Sequence, residues 1–328
     1  MGYWLGCNGA ASIIGSLIAY GLSAITHAAL APWKILFLLF GLATVVTGVF
    51  YFWYMPDNQL NAKFLNEEEK VIAIERIRDN FQGIGNRVWK WEQFWEAMRD
   101  PRTWLYGLYS LMMNIPNGGN TTFGGIIISS FGFDSRTSLL LSAPAGAVDL
   151  GSKLLFPWLS DYFMDRTLFS GMAILLSMLG GILMIVIPLE HQGPLLFGYY
   201  LIATAGASWC LVMVLISNNT LGYTKKVTVN SVQIICYAAG NWIGPQTFRS
   251  SDAPEYRNGK IMIASLYGTT ALVLVAIRLI NIMENRRRDK NQAESGIDLN
   301  DPEVKAEIER AKFMDLTDFQ QTYFRYVL

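Results

Sequence analysis

Long apolar segments alternate with short polar connections along the whole chain. Eight of them stand out, at residues 3–22, 33–54, 103–126, 137–158, 169–189, 194–216, 228–248 and 261–283. An α-helix needs roughly 20 apolar residues to cross bilayer hydrocarbon, and backbone groups in lipid must pair within their own helix. Helices buried in a water-soluble domain seldom reach this length so often. The pattern predicts an all-α polytopic membrane protein with eight transmembrane helices. The longest polar interruption, residues 55–102, splits them two plus six. Such a split reads as a hinge between two halves, the first of which lacks part of its sequence. The expected units are two helices (1–54), a linker (55–102), a six-helix bundle (103–283) and a polar tail (284–328).

The linker is itself patterned. Asn66 is placed to cap a helix whose first turn holds Glu67, Glu68 and Glu69, where negative charge suits the helix dipole. Val71, Ile72, Ile74 and Ile77 fall on one face, with Glu75, Arg76 and Arg78 on the other. A second amphipathic stretch, Trp89 to Met98, is suited to lie along the membrane interface. In the tail, Glu303 to Lys312 reads as a short charged helix.

Composition sharpens this picture. Hydrophobic residues make up 52% of the chain and charged residues 16%, gathered in a few blocks. With the linker in the cytoplasm, nineteen of the 26 Lys and Arg lie on that side and five on the other. The positive-inside rule then predicts both termini in the cytoplasm. The formal net charge is zero, and no basic patch interleaved with aromatics points to nucleic acid. The first apolar segment lacks a basic leader and is too long for a signal-peptide core. Cys7, Cys210 and Cys236 are scattered through the spans and read as buried small residues. His27 and His191 are isolated, so neither a metal nor another cofactor is expected. The spans offer no nucleophile–base pair, which argues against an enzyme.

Polar positions inside the spans are the candidate site. In the third span Asn114, Asn117 and Asn120 recur on one face beside Pro116, Gly118 and Gly119. A helix broken there, with a polar face at mid-membrane, would build a substrate site as carriers do; the alternative is a glycine hinge with asparagines bonded to neighbouring helices. In the fourth span Asp149 and Lys153 stand four residues apart, where opposite charges offset each other in hydrocarbon. They line an aqueous pathway that attracts an anion, or else hold the helix in register near an interface. In the seventh span Gln233, Tyr237 and Asn241 share a face, and Gly240, Gly244 and Pro245 interrupt the helix. Packing through hydrogen bonds is the other reading of that stripe. Arg278 reads as a snorkelling residue. In the first span Ala11, Gly15 and Ala19 form a smooth stripe suited to a partner helix, and Asn8 should face protein rather than lipid.

Several runs resemble a known family. YAAGNWIGPQTFRSSDAPEYRNGK (237–260) is similar to the eleventh helix and following loop of fungal anion:cation symporters, the allantoate-permease-like branch of the major facilitator superfamily. The linker run EEEKVIAIERIRDN with GIGNRVWKWEQFWEAMRDPRTW looks like that family's central linker, NGAASIIGSLIAYGL like its fifth helix, and DLTDFQQTYFRYVL like its C-terminal end. The resemblance implies a partial major facilitator fold in which the eight spans are helices five to twelve and the first four are missing. It implies a secondary active transporter, in the plasma membrane, of a small organic anion such as a carboxylate. A proton would be its co-substrate, taken up by Asp149, with Asn114, Asn117, Asn120, Lys153, Gln233, Tyr237 and Asn241 around the solute. WLSDYFMDRT (158–167) resembles a reduced form of the superfamily's inner-loop gating motif. Asp161 and Arg166 match it, and the basic residues that usually follow are absent. With half the walls of the site missing, the chain alone is not expected to carry out coupled transport. A truncated, non-transporting membrane protein is the alternative.

Overall fold

The computed structural model describes residues 2–25, 30–56, 61–78, 88–253, 255–295, 304 and 314–328. His27, the side chains of 74–78 and, apart from Val304, the helix expected over 303–312 lie outside the described residues. All eight apolar segments are helical. Two helices precede the linker, α1 (Gly2–Leu22) and α2 (Pro32–Tyr54), and the linker holds α3 (Glu67–Arg78) and α4 (Trp91–Arg99). The bundle follows as α5 (Pro101–Ser130), α6 (Ser135–Leu141), α7 (Ala143–Phe163), α8 (Arg166–Val186), α9 (Gln192–Ile202), α10 (Ala205–Asn219), α11 (Tyr223–Ile243) and α12 (Arg257–Ser295). At the start of α3, Glu69 accepts a hydrogen bond from the Asn66 backbone N–H at 2.8 Å, the return half of a capping box.

Among the described residues six helical stretches are long and apolar enough to cross a membrane: α1, α2, α6 with α7, α8, α9 with α10, and α12. The other two expected spans, α5 and α11, carry the asparagines, glycines and threonines singled out above, which lower their hydropathy. These two helices pack tightly on each other through glycine. A Cβ on Gly118 would lie 2.6 Å from the Asn241 carbonyl oxygen, and one on Gly240 would lie 2.7 Å from that of Leu111. Only hydrogen fits where the backbones approach so closely.

That seam corrects the expected break in α5. The helix runs through Pro116 without interruption, and its glycines are used for contact with α11. The breaks occur elsewhere. The expected span 137–158 is two helices meeting at Ser142, where Pro144 in the first turn of α7 supplies no N–H. The span 194–216 is also two, meeting at Ala203–Thr204. There the Thr204 hydroxyl bonds the Leu201 carbonyl at 2.7 Å and that of Ala173, on α8, at 3.0 Å. Such back-bonding from a threonine bends helices. In α11 the helix ends at Ile243 and continues as a 3-10 turn, Gly244–Thr247.

The core lies among α5, α8, α9, α10 and α12, with Tyr106, Tyr109, Ile127, Ile174, Ile263 and Tyr267 among its buried members. The first two helices are poorly covered by comparison. α2 buries no residue. α1 buries Leu5, Gly6 and Gly9 and docks on α7, where a Cβ on Gly9 would lie 2.5 Å from the Gly146 carbonyl oxygen. The Ala11–Gly15–Ala19 stripe is not this docking face, since a Cβ on Gly15 would meet nothing within 4 Å. Cys7 is exposed and Cys236 half-buried, against the expectation for all three cysteines; Cys210 is buried.

The tail turns back over the linker end of the bundle. Asn219 of α10 brackets Val327, accepting from its N–H at 2.8 Å and donating to its carbonyl at 2.9 Å. Asn285 of α12 treats Tyr326 the same way, at 2.8 Å for both bonds. The start of α5, the end of α10 and the start of α11 all meet the tail, so these helix ends lie on the same side of the bundle.

Candidate functional site

A cavity of about 590 Å³ opens midway along the bundle between α1, α5, α7, α10 and α11. Its walls include Asn114, Asn117, Asn120, Asp149, Lys153 and Tyr237, drawn from three separate spans. Helical spacing explains the first three, since i, i+3 and i+6 progress around one side of α5. Asn114 and Asn117 are partly engaged: Asn114 donates to the Ser110 carbonyl at 2.7 Å, and Asn117 donates to Asn241 Oδ1 at 3.0 Å. Asn120 differs, because its buried Oδ1 has no hydrogen-bond partner.

The charged pair is largely buried in the wall. Lys153 Nζ donates to Asp149 Oδ2 at 2.6 Å, with side-chain exposures of 6% and 18%. The i,i+4 spacing puts them on one face of α7, and that face is turned to the cavity. No other carboxylate or ammonium lines it among the described residues. Trp209 and Tyr237 give the cavity an aromatic part of its wall, 5.4 Å apart, and Trp209 stacks on Tyr109 behind it at 6.4 Å.

Two of the sequence candidates lie off the wall. Gln233 is buried against α10, its amide 2.7 Å from Met213 Sδ. Asn241 faces α5 and ties α11 to Asn117, so it supports the site from behind. Conversely, Asn8 and Ser12 of α1, Thr121, Tyr199 and Trp209 line the cavity. Asn8 carried a signal, as the strongly polar side chain of its span; the others did not differ from ordinary packing residues.

Asp161 and Arg166 flank the turn between α7 and α8. Arg166 and Asp161 are 3.4 Å apart, with Asp161 69% exposed. The tighter link is Arg278, which donates to Asp165 at 2.6 Å and to Thr167 at 2.7 Å. Arg278 is therefore a paired residue that fastens α12 to the α7–α8 turn, not a snorkelling one. Burial raises the Asp165 carboxyl, but the Arg278 bond and the Leu168 N–H outweigh it and hold it below the usual range. Among the described residues, no cluster of His, Cys, Asp and Glu is arranged to hold a metal.

Comparison with known proteins agrees with this architecture. The family model described as Major Facilitator Superfamily matches residues 1–245. An uncharacterised transporter of Schizosaccharomyces pombe is 37% identical over 329 residues, covering 99% of this chain and 62% of the relative. The allantoate permease of Saccharomyces cerevisiae is 37% identical over 335 residues, covering 99% and 60%. The thiamine pathway transporter of the same yeast is 33% identical over 328 residues, covering 100% and 61%. The chain thus spans less than two thirds of the length of these relatives, all of them transporters rather than enzymes. A helical, multi-pass membrane architecture, the matched family model and the similarity to these transporters lead to one conclusion: the chain belongs to the Major Facilitator Superfamily.

Proposed function

We propose that the chain forms the larger part of a secondary carrier that moves a small organic anion together with a proton by alternating access. The observation that carries this reading is the cavity with a single Asp149–Lys153 pair among asparagines. Buried ionisable groups in a helical membrane bundle are costly and mark solute or proton paths. Here the lysine charge is already committed. A proton taken up by Asp149 cancels its charge, and Lys153 is then free to hold a carboxylate of the solute. Asn120 Oδ1 offers an unused acceptor to an N–H or O–H of the same solute, and Trp209 and Tyr237 give an apolar flank. Asp161 and Arg166 are assigned to the inner gate. The names of the yeast relatives, allantoate permease and thiamine pathway transporter, support small polar solutes. The plasma membrane, with both termini cytoplasmic, is the proposed setting, on the strength of the nineteen-to-five distribution of Lys and Arg.

The test is uptake of labelled carboxylates by cells expressing the chain alone and joined to four preceding helices. In the joined form, Lys153→Gln is expected to abolish uptake, and Asp149→Asn to remove its dependence on the proton gradient. Normal coupled uptake by both variants would end the assignment. A second reading, a membrane protein that does not transport, is favoured by one feature: α2 buries nothing and Gly15 faces open space. Uptake by residues 1–328 alone would eliminate it.

A further inference from the structure

We propose that Gly206 is a positioning residue for the Asp149–Lys153 pair, holding it in a notch cut into the start of α10. A Cβ at 206 would collide with Asp149 Oδ1 and would lie 2.6 Å from Lys153 Cε and 3.1 Å from its Nζ. The pair therefore fills the space where any other residue would carry its side chain. The notch cannot simply move aside, because α10 is pinned on both flanks. The Thr204 hydroxyl oxygen, just before it, is 2.8 Å from Ser177 Oγ and 3.0 Å from the Ala173 carbonyl oxygen, both on α8. Ser208, just after it, is 2.7 Å from Ser170 Oγ and 2.8 Å from the Tyr109 hydroxyl. The break between α9 and α10 places the notch at the depth of the pair.

The consequence concerns access. Gly206 is part of the α10 wall of the cavity, so the pair seated against it is reached by a proton or a solute from the cavity. The groups lining that cavity from the other packed elements are neutral: Asn8 and Ser12 from α1, the asparagines of α5, and Tyr199, Tyr237 and Tyr267 from α9, α11 and α12. Cys210, one turn along α10, is buried. A methyl group at 206 must drive Asp149 or Lys153 out of the notch and lengthen their 2.6 Å contact. The role of the pair in coupling rests on the carrier reading above; the role of Gly206 in placing it does not.

The test separates the two. In the purified chain, infrared spectra recorded across a pH series follow the protonated carboxyl band that Asp149→Asn removes. Gly206→Ala is expected to move the midpoint of that band by about one pH unit or more. Gly151→Ala, on α7 where an added Cβ meets nothing within 4 Å, is expected to leave it in place. An unmoved midpoint in Gly206→Ala overturns the proposal whether or not the protein transports. Should Gly206→Ala fail to fold, the triple variant with Asp149→Ala and Lys153→Ala is expected to restore its yield, because the notch is then empty. Failure of that rescue also overturns the proposal.

Discussion

Among the described residues three lysines are buried, Lys153, Lys225 and Lys260, and the first two are held in opposite ways. Lys225, at the linker end of α11, is 1% exposed and surrounded by three carboxylates: Asp318 at 2.8 Å, Glu96 at 2.9 Å and Asp100 at 3.2 Å. The Phe319 ring covers it at 3.8 Å. Arg102 joins the cluster through Asp100 at 3.0 Å and Asp318 at 3.4 Å. Lys153 has one carboxylate and a cavity in front of it. A buried charge with several partners cannot exchange any of them without leaving others uncompensated. A buried charge with a single partner beside water can. The count of partners, more than the depth of burial, separates a structural cation from one available for chemistry.

The sharpest way to break this contrast is to remove each cation. Lys225→Met leaves three carboxylates facing one another and is expected to cost about 3–5 kcal/mol, seen as loss of folded protein by thermal unfolding in detergent. Lys153→Met leaves one carboxylate at a cavity, where it can take a proton, and is expected to cost about 1–3 kcal/mol. Equal losses would erase the distinction. Acid gives a gentler test. Burial pushes the Asp100 carboxyl up, yet the Arg102 guanidinium and the Lys225 ammonium outweigh it and hold it below its ordinary value of 3.8. A carboxylate depressed in the folded state adds stability that is present above its unfolded value and lost as pH falls through the folded one. The melting temperature should therefore fall only below about pH 4 on account of this group, and Asp100→Asn should flatten that acid limb. A smaller effect is expected for Arg278→Met, about 1 kcal/mol for a partly exposed pair. Asp161→Asn, at an exposed and long contact, should change stability by less than about 0.5 kcal/mol.

Much of this could be read from the chain, because hydrophobic runs and i,i+4 spacing are local. The eight helices and the Asp149–Lys153 pair follow from such short-range signals. What escaped is long-range. Glu96 and Lys225 are 129 residues apart along the chain, and nothing in either neighbourhood names the other. Gly206 is an unremarkable residue until the side chains of α7 are placed against it. Pro116 misled in the other direction: a proline between glycines suggests a broken helix, but the glycines serve a seam with α11 that no single segment reveals. The breaks at Ser142 and Thr204 carried weaker marks, a proline two residues on and a threonine able to bond backward.

The folded-back tail has a mechanical meaning. Asp315 pairs with Lys90 at 2.7 Å, the Lys90 N–H is bonded to Thr224 at 2.9 Å, and Thr317 is bonded to Glu96 at 2.9 Å. Arg288 of α12 completes the attachment through the carbonyls of Asp318, Gln321 and Phe324 at 2.9–3.0 Å. The tether joining the first two helices to the other six therefore ends near Lys90, well before the apolar run that opens at Thr103. Any pull delivered along that tether is taken up by α11 and α12 together, as a drawbar passes its load to the frame rather than to one wheel.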